Sequence, residues 1–258
     1  MNEMAERLHA ALMDAFMVFL GMLPDGRVEE RDGYRVASAP SFAIPQANGV
    51  WVDGPDDGPA ASALEASLET IRAGGVAPGV ITRDHRFPRV EAEARRLGLT
   101  TVEREPGMVV TPVGFRPPEG SGPSLVRVGE DEDLLAVAKD VTTRGFEAPP
   151  EMFDSLFSSK MRAEGLDLWL AYVDGEPVST AFGQVLGDAV GIFDVATPPE
   201  HRRKGYAAWV TAQAVRTGFE AGAAFGYLQS SEPGFGVYRA LGFEQVCEYR
   251  LFVGEGGS

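Results

Sequence analysis

The chain has 258 residues, 38 acidic against 23 basic, and a formal net charge of -15. That balance disfavours a nucleic-acid backbone, which needs a broad basic surface, and suits a cationic small molecule or peptide. Cys247 is the only cysteine, so an intrachain disulfide is excluded and a reducing compartment is expected.

The first segment, MNEMAERLHAALMDAFMVFLGMLP, reads as a buried amphipathic helix. Its apolar run after Asp14 is too short to span a bilayer, and Glu3 and Glu6 stand where a secretory leader would be basic. A cytoplasmic protein with no membrane partner is expected. Strands at Gly33–Ala37 and Gly49–Val52 precede a helix at Ala60–Ala73. A strand at Gly79–Thr82, a helix at Arg89–Leu97 and a strand at Thr100–Arg104 follow. The segment RPPEGSGPS, Arg116 to Ser124, is rich in structure-breaking residues and divides the chain into 1–122 and 123–258.

The second half opens with an alternating strand at Leu125–Val128. GEDEDLLAVAKDVTTRGF reads as a helix whose acid-rich first turn suits the helix dipole, and Pro149–Ala163 as another. LDLWLAYVDGEPVSTAFGQV gives two strands around an Asp174-Gly175 turn. Gly187-Asp188 turns the chain into a third strand, AVGIFDVAT. Ala208, Ala212, Val215 and Phe219 fall at helical spacing after Gly205. AAFGYLQ is a buried strand, GFGVYRALGF a short helix ended by Gly242, and FEQVCEYRLF a closing strand. The fold class is mixed α/β. One echo links the halves: EARRLGL (Glu93–Leu99) resembles VYRALGF (Val237–Phe243).

Between strand and helix stands the one dense positive knot, Arg202-Arg203-Lys204-Gly205-Tyr206-Ala207. A helix start carries backbone N–H groups without internal partners and the positive end of the dipole. With Gly205 and three cations beside it, this reads as an anion pocket, most simply for a pyrophosphate. Arg95-Arg96-Leu97-Gly98 has the same Arg-to-Gly spacing but ends a helix, so it offers carbonyls instead of donors. Neither a P-loop nor a dinucleotide fingerprint is present.

These residues carry a family resemblance. Arg202-x-x-Gly205-x-Ala207 after the strand FDVAT, followed by SSEPGFGVYRALGF (Ser230–Phe243), resembles the two signatures of the GNAT superfamily of acyl-CoA N-acyltransferases. The resemblance covers about Ser124 to Phe252. It implies two splayed parallel strands, Gly191–Thr197 and Ala224–Ser230, with acetyl-CoA in the gap. It places Val195, Ala196 and Thr197 along the cofactor arm, the pantetheine pairing with the backbone of Val195 and Thr197. Arg202, Arg203, Lys204, Gly205, Tyr206 and Ala207 form the phosphate loop, and Ser231 stands near the arm. The N-terminal half resembles a degenerate copy of the same fold, with Ala94 where Tyr238 stands, and is expected to hold no cofactor.

The implied reaction is transfer of an acetyl group from acetyl-CoA to a primary amine of a small molecule or peptide. Tyr238 is the proton donor by resemblance. For the base the residues leave alternatives. Many relatives have a Glu where this chain has Gly191. Asp194 lies on the same strand, but alternation points it away from Gly191, Phe193 and Val195 unless a bulge re-aims it. Glu147 and Glu232 are loop alternatives. A lysine-type amine costs roughly 4.6 kcal/mol to deprotonate at pH 7, so a weak base favours a weakly basic acceptor. His9 and His85 lack metal-ligand spacing, and no metal is expected; His201 reads as a surface residue and Cys247 as a small core residue. The rival reading is a catalytically silent acyl-CoA sensor; a homodimer is compatible with either.

Overall fold

The computed structural model of the protein describes residues 3–157 and 166–254. The chain forms two compact units, Met1–Phe16 with Gly107–Val246, and Met17–Pro106 with Cys247–Ser258. It crosses between them at three points, so the units are interleaved and do not divide at residue 122.

The first unit holds the start of helix α1 (Glu3–Met22), the end of β5 (Thr101–Val110), and β6 (Ser124–Val128), α4 (Glu132–Phe146), β7 (Leu166–Val173), β8 (Glu176–Leu186) and β9 (Ala189–Ala196). Helix α5 (Tyr206–Glu220), β10 (Phe225–Gln229), α6 (Phe235–Ala240) and the start of β11 (Glu244–Val253) complete it. Its strands run in the order β5-β10-β9-β8-β7-β6. β9 and β10 are parallel, and the other recorded pairs are antiparallel.

Helix α4 starts where the acidic signal placed it. The Asp131 carboxylate accepts from the amides of Asp133 (3.0 Å) and Leu134 (3.1 Å), satisfying two donors that the helix leaves open. The helix expected over Pro149–Ala163 is instead a 3-10 turn at Pro150–Phe153 followed by turns to Phe157; 158–163 lie outside the described residues. Two adjacent prolines fix the backbone and remove its donors there. Beneath α5 and α6 lies an apolar cluster including Val190, Ile192, Val215, Leu228, Tyr238 and Phe243. Each large apolar side chain buried this way contributes about 1.5–3 kcal/mol.

The second unit contains β1 (Arg27–Arg31), β2 (Tyr34–Ser38), β3 (Gly49–Val52), α2 (Gly58–Ala73), β4 (Gly79–Arg83), α3 (Pro88–Arg96) and the end of β11. Its strand order is β1-β2-β3-β4-β11, with β3 and β4 parallel. Val50, Val80, Leu64, Leu68, Ile71 and Phe252 share its core. Strand β1 was invisible in the sequence because four of its five residues are charged.

Each unit is finished by a strand from the far half of the chain. In the first, Gly107–Val110 pair antiparallel with Gly226–Gln229 of β10. In the second, Tyr249–Phe252 pair antiparallel with Val80–Arg83 of β4. The segment read as a linker is held within the first unit: the Arg116 amide donates to the Leu241 carbonyl at 2.9 Å, and Phe115 meets Phe219 edge-on at 5.7 Å.

Candidate active site

Strands β9 and β10 pair from Phe225↔Ala189 to Tyr227↔Gly191 and then separate, although both continue. The gap opens at the residues expected to splay. Its β9 wall carries a bulge. Phe182 pairs with Phe193 and Thr180 with Ala196, so Asp194 and Val195 together face the single residue Ala181. Asp194 takes a left-handed φ of +49°, a conformation that Asp and Asn adopt more readily than other non-glycine residues. The strict alternation assumed from sequence fails here. Val195 packs with Val210, whereas Phe193 leans toward Tyr227, at 6.0 Å between ring centroids.

The bulge leaves Asp194 half-buried, and burial pushes its carboxyl up to about 6 from the ordinary 3.8. Gly191 has no room for a longer side chain. A Cβ there would lie 2.5 Å from the Phe193 ring and 2.7 Å from the Tyr227 hydroxyl. That hydroxyl donates to the Ala11 carbonyl of α1 at 2.9 Å. The position where the resemblance expects a glutamate is therefore filled by two rings of this chain.

After β9 the chain passes through Pro198 and a 3-10 turn at Pro199–His201 into the phosphate-loop candidate. Arg203 and Gly205 are both left-handed, with φ of +61° and +83°. Among the described residues, the amides of Arg203, Lys204, Gly205, Tyr206 and Ala207 donate no backbone hydrogen bond. Helix α5 begins without an acidic residue in its first turn and without a side-chain cap. Consecutive amides in this alternating geometry form a concave donor set that fits an anion. At Gly205 a Cβ would meet nothing within 4 Å, so the glycine serves the backbone angle and leaves that space open.

The three cations have different surroundings. Arg203 and Lys204 are exposed and, among the described residues, unpaired. Arg202 donates to the carbonyls of Thr197 (3.1 Å) and Gly145 (2.8 Å) and to Glu147 Oε1 (2.8 Å). Its guanidinium joins the end of β9 to the end of α4. Gly145 permits this approach: a Cβ would stand 2.8 Å from the Ala196 Cβ and 2.9 Å from the Thr197 amide. Ser179 Oγ lies 2.8 Å from both the Ala196 carbonyl and Thr197 Oγ1, tying down the same turn from β8. Sequence inspection missed this network because its members lie on four elements and form no short motif.

His201 is buried with Nε2 3.4 Å from Glu176, which corrects the surface reading. Cys247 is buried.

Across the gap, the Ser230 hydroxyl donates to the Ser231 carbonyl at 2.7 Å. The exposed Ser231 accepts from the Gly234 amide at 3.3 Å, opening α6. Tyr238, on α6, is buried and meets Phe243 edge-on at 6.0 Å. Burial pushes its hydroxyl up to about 12, so it stays protonated at neutral pH. Among the described residues its hydroxyl has no hydrogen-bond partner. The base alternative Glu147 is paired with Arg202, and Glu232 is exposed on the loop before α6.

Residues 134–243 match the model of the acetyltransferase (GNAT) family. A GCN5-related N-acetyltransferase from Kribbella flavida superposes with a TM-score of 0.75 at 21% identity, covering 100% of this chain and 97% of that one. A functionally unknown conserved protein from Staphylococcus epidermidis gives 0.69 at 13% identity, covering 91% and 96%. A tandem GNAT protein from the clavulanic acid biosynthesis pathway gives 0.60 at 14% identity, covering 90% and 84%. No curated protein matches the sequence. The structural likenesses show the fold. The family match covers residues 134–243, less than half of the chain. No helix among the described residues is long and apolar enough to cross a membrane.

Proposed function

We propose that the protein moves an acetyl group from acetyl-CoA to a primary amine. The observation that carries this reading is the run of five amides, Arg203 to Ala207, unpaired among the described residues and beside the mouth of a splayed strand pair. That donor set suits a pyrophosphate, and the exposed Arg203 and Lys204 add charge. Arg202 acts differently, holding the loop through carbonyls and Glu147. Acetyl-CoA supplies the activated thioester. Val195, Ala196 and Thr197 form the wall along which its arm would lie, and Ser231 stands at the opposite side of the gap.

Asp194 accepts a proton from the incoming ammonium. The neutral nitrogen then attacks the thioester carbonyl carbon and a C–N bond forms; as the C–S bond breaks, the nitrogen gives its second proton to solvent and the neutral amide is left. The β9 amide near Val195 is placed to stabilise the oxygen as it gains charge. The thiolate leaves, accepting a hydrogen bond from Tyr238. Raising the Tyr238 hydroxyl to about 12 separates it from a thiol near 8.5 by about 5 kcal/mol. Tyr238 therefore stabilises the thiolate by hydrogen bonding, and solvent completes its protonation.

The second unit reads as a degenerate copy. Its order β3-α2-β4-α3 parallels β9-α5-β10-α6. Helices α3 and α6 are both followed by a left-handed glycine, Gly98 at φ +86° and Gly242 at φ +93°. The start of α2 is supplied with carboxylates of its own: Asp56 accepts from the Gly58 amide at 3.0 Å, and Asp57 accepts from the Arg89 amide at 2.7 Å. Those anions would repel a pyrophosphate.

The test is thiol release from acetyl-CoA in the presence of primary amines. Amine-dependent release with an N-acetyl product supports the proposal. Binding without release under any amine supports the silent sensor instead.

A further inference from the structure

We propose that strand β1 is the docking surface for a second copy of this chain, the two β1 strands pairing antiparallel about a two-fold axis at Val28. β1 stands at the end of the strand order, with β2 as its neighbour. Four of its five residues are exposed. The β1–β2 hairpin closes on Arg31↔Tyr34 across the two-residue loop Asp32-Gly33, so Arg31, Glu29 and Arg27 exchange peptide hydrogen bonds with β2. Val28 and Glu30 turn their N–H and C=O groups outward, where no further strand follows among the described residues. Such an open row is a template for another strand.

The charges on β1 select that strand. A charged edge ordinarily keeps copies apart, and two chains of net charge -15 repel at long range. A two-fold antiparallel ladder is centred on a residue, because a centre between residues would oppose an outward peptide to an inward one. The central residue then faces its own copy, and Val28 is the uncharged residue of RVEER. Centred on Arg27, Glu29, Glu30 or Arg31, the joint would set a charge against itself. Centred on Val28, Arg27 of each copy stands opposite Glu29 of the other, Arg31 opposite Asp25, and Glu30 opposite Gly26. Every charged residue of the strand then meets an opposite charge or a glycine. Arg27 and Glu29 form pairs that exchange no backbone bonds across the joint, the geometry that brings side chains closest. They have room to meet: Asp25, Arg27, Glu29 and Arg31 line a groove of about 550 Å³ beside Ala63 and Ser67 of α2. Arg31 is paired with Glu29, and Asp25 accepts from the Ser41 amide at 2.7 Å, whereas Arg27 has no partner among the described residues. Arg27 is the cation that the joint supplies with a carboxylate. The contact lies wholly in the second unit and does not depend on acetyl transfer.

The test is the mass of the full chain in solution, by sedimentation equilibrium and native mass spectrometry, with circular dichroism to show that each variant is folded. The wild type should be a dimer. Arg27→Glu sets carboxylate against carboxylate and Glu29→Arg sets guanidinium against guanidinium, so each should weaken the dimer at least tenfold. Mixed together, these two variants should form a heterodimer, because each supplies the charge that the other lacks. Both changes in one chain should restore the homodimer. Val28→Pro removes an outward N–H and spares the bonds to β2, and should give a monomer. A monomeric wild type, a dimer that neither charge reversal weakens, or folded variants that stay apart when mixed would overturn the proposal.

Discussion

Asp194 combines a left-handed backbone with a carboxyl pushed up to about 6, and both properties predict how substitutions behave. Asn fits the same backbone, so Asp194→Asn should fold. Kinetically, kcat/KM of the wild type should fall about tenfold per pH unit below about pH 6. That limb should be missing from Asp194→Asn, whose rate should be about 100-fold lower at pH 7. Stability runs the other way. A carboxyl that binds its proton more tightly in the folded chain adds stability that is complete below its unfolded value near 3.8, and lost as pH rises through about 6. The half-buried side chain makes about 3 kcal/mol an upper bound. Thermal melts should therefore show Asp194→Asn more stable than wild type at pH 8, with the difference closing toward pH 4. A gap that widens on acidification would contradict this account of Asp194. Tyr238→Phe should lower kcat about 10- to 100-fold with little change in acetyl-CoA affinity, as a hydrogen bond to the leaving thiolate requires. The residue types at these positions were legible in the sequence; the bulge that breaks the alternation at Asp194 was not, because a one-residue insertion in a ladder depends on the partner strand.

At the scale of elements, the loop before α5 depends on Arg202 for position and on its amides for binding. Removing the guanidinium frees two carbonyls and Glu147 and loosens the link between β9 and α4. Arg202→Ala should raise KM for acetyl-CoA about tenfold while kcat stays within a factor of two. Combined with Glu147→Ala, it should show a non-additive effect, because the two side chains share one interaction. The sequence placed the loop between strand and helix correctly, since Gly205 and the helical spacing after it are local signals. It did not reveal that Arg202 braces the turn, because the carbonyl of Gly145 lies far away in the chain. Gly191 makes the complementary point: Gly191→Ala must displace Phe193 or Tyr227, which costs about 1–3 kcal/mol in an overpacked interior, measurable by urea unfolding.

For the whole molecule, the path of the chain matters more than the apparent boundary. β10 has a hydrogen-bonded neighbour at Gly107–Val110, and the fragment 123–258 lacks it together with α1. That fragment should fail to show a cooperative urea transition, whereas the full chain should unfold cooperatively. A folded 123–258 fragment would contradict the interleaved description. Composition and periodicity in the sequence made the mixed α/β class and most strands and helices legible. The exchange of finishing strands was not legible, because an alternating apolar strand looks the same whichever β-strand it completes. The central claim is that one acyl-CoA site exists per chain, on the amides of Arg203 to Ala207. Its most direct test is calorimetric titration of the full chain with acetyl-CoA, beside Lys204→Glu, which changes an exposed charge without touching the core. The account predicts one molecule bound per chain and at least tenfold weaker binding by the variant. Two molecules per chain, no binding, or equal affinity in the variant would contradict it.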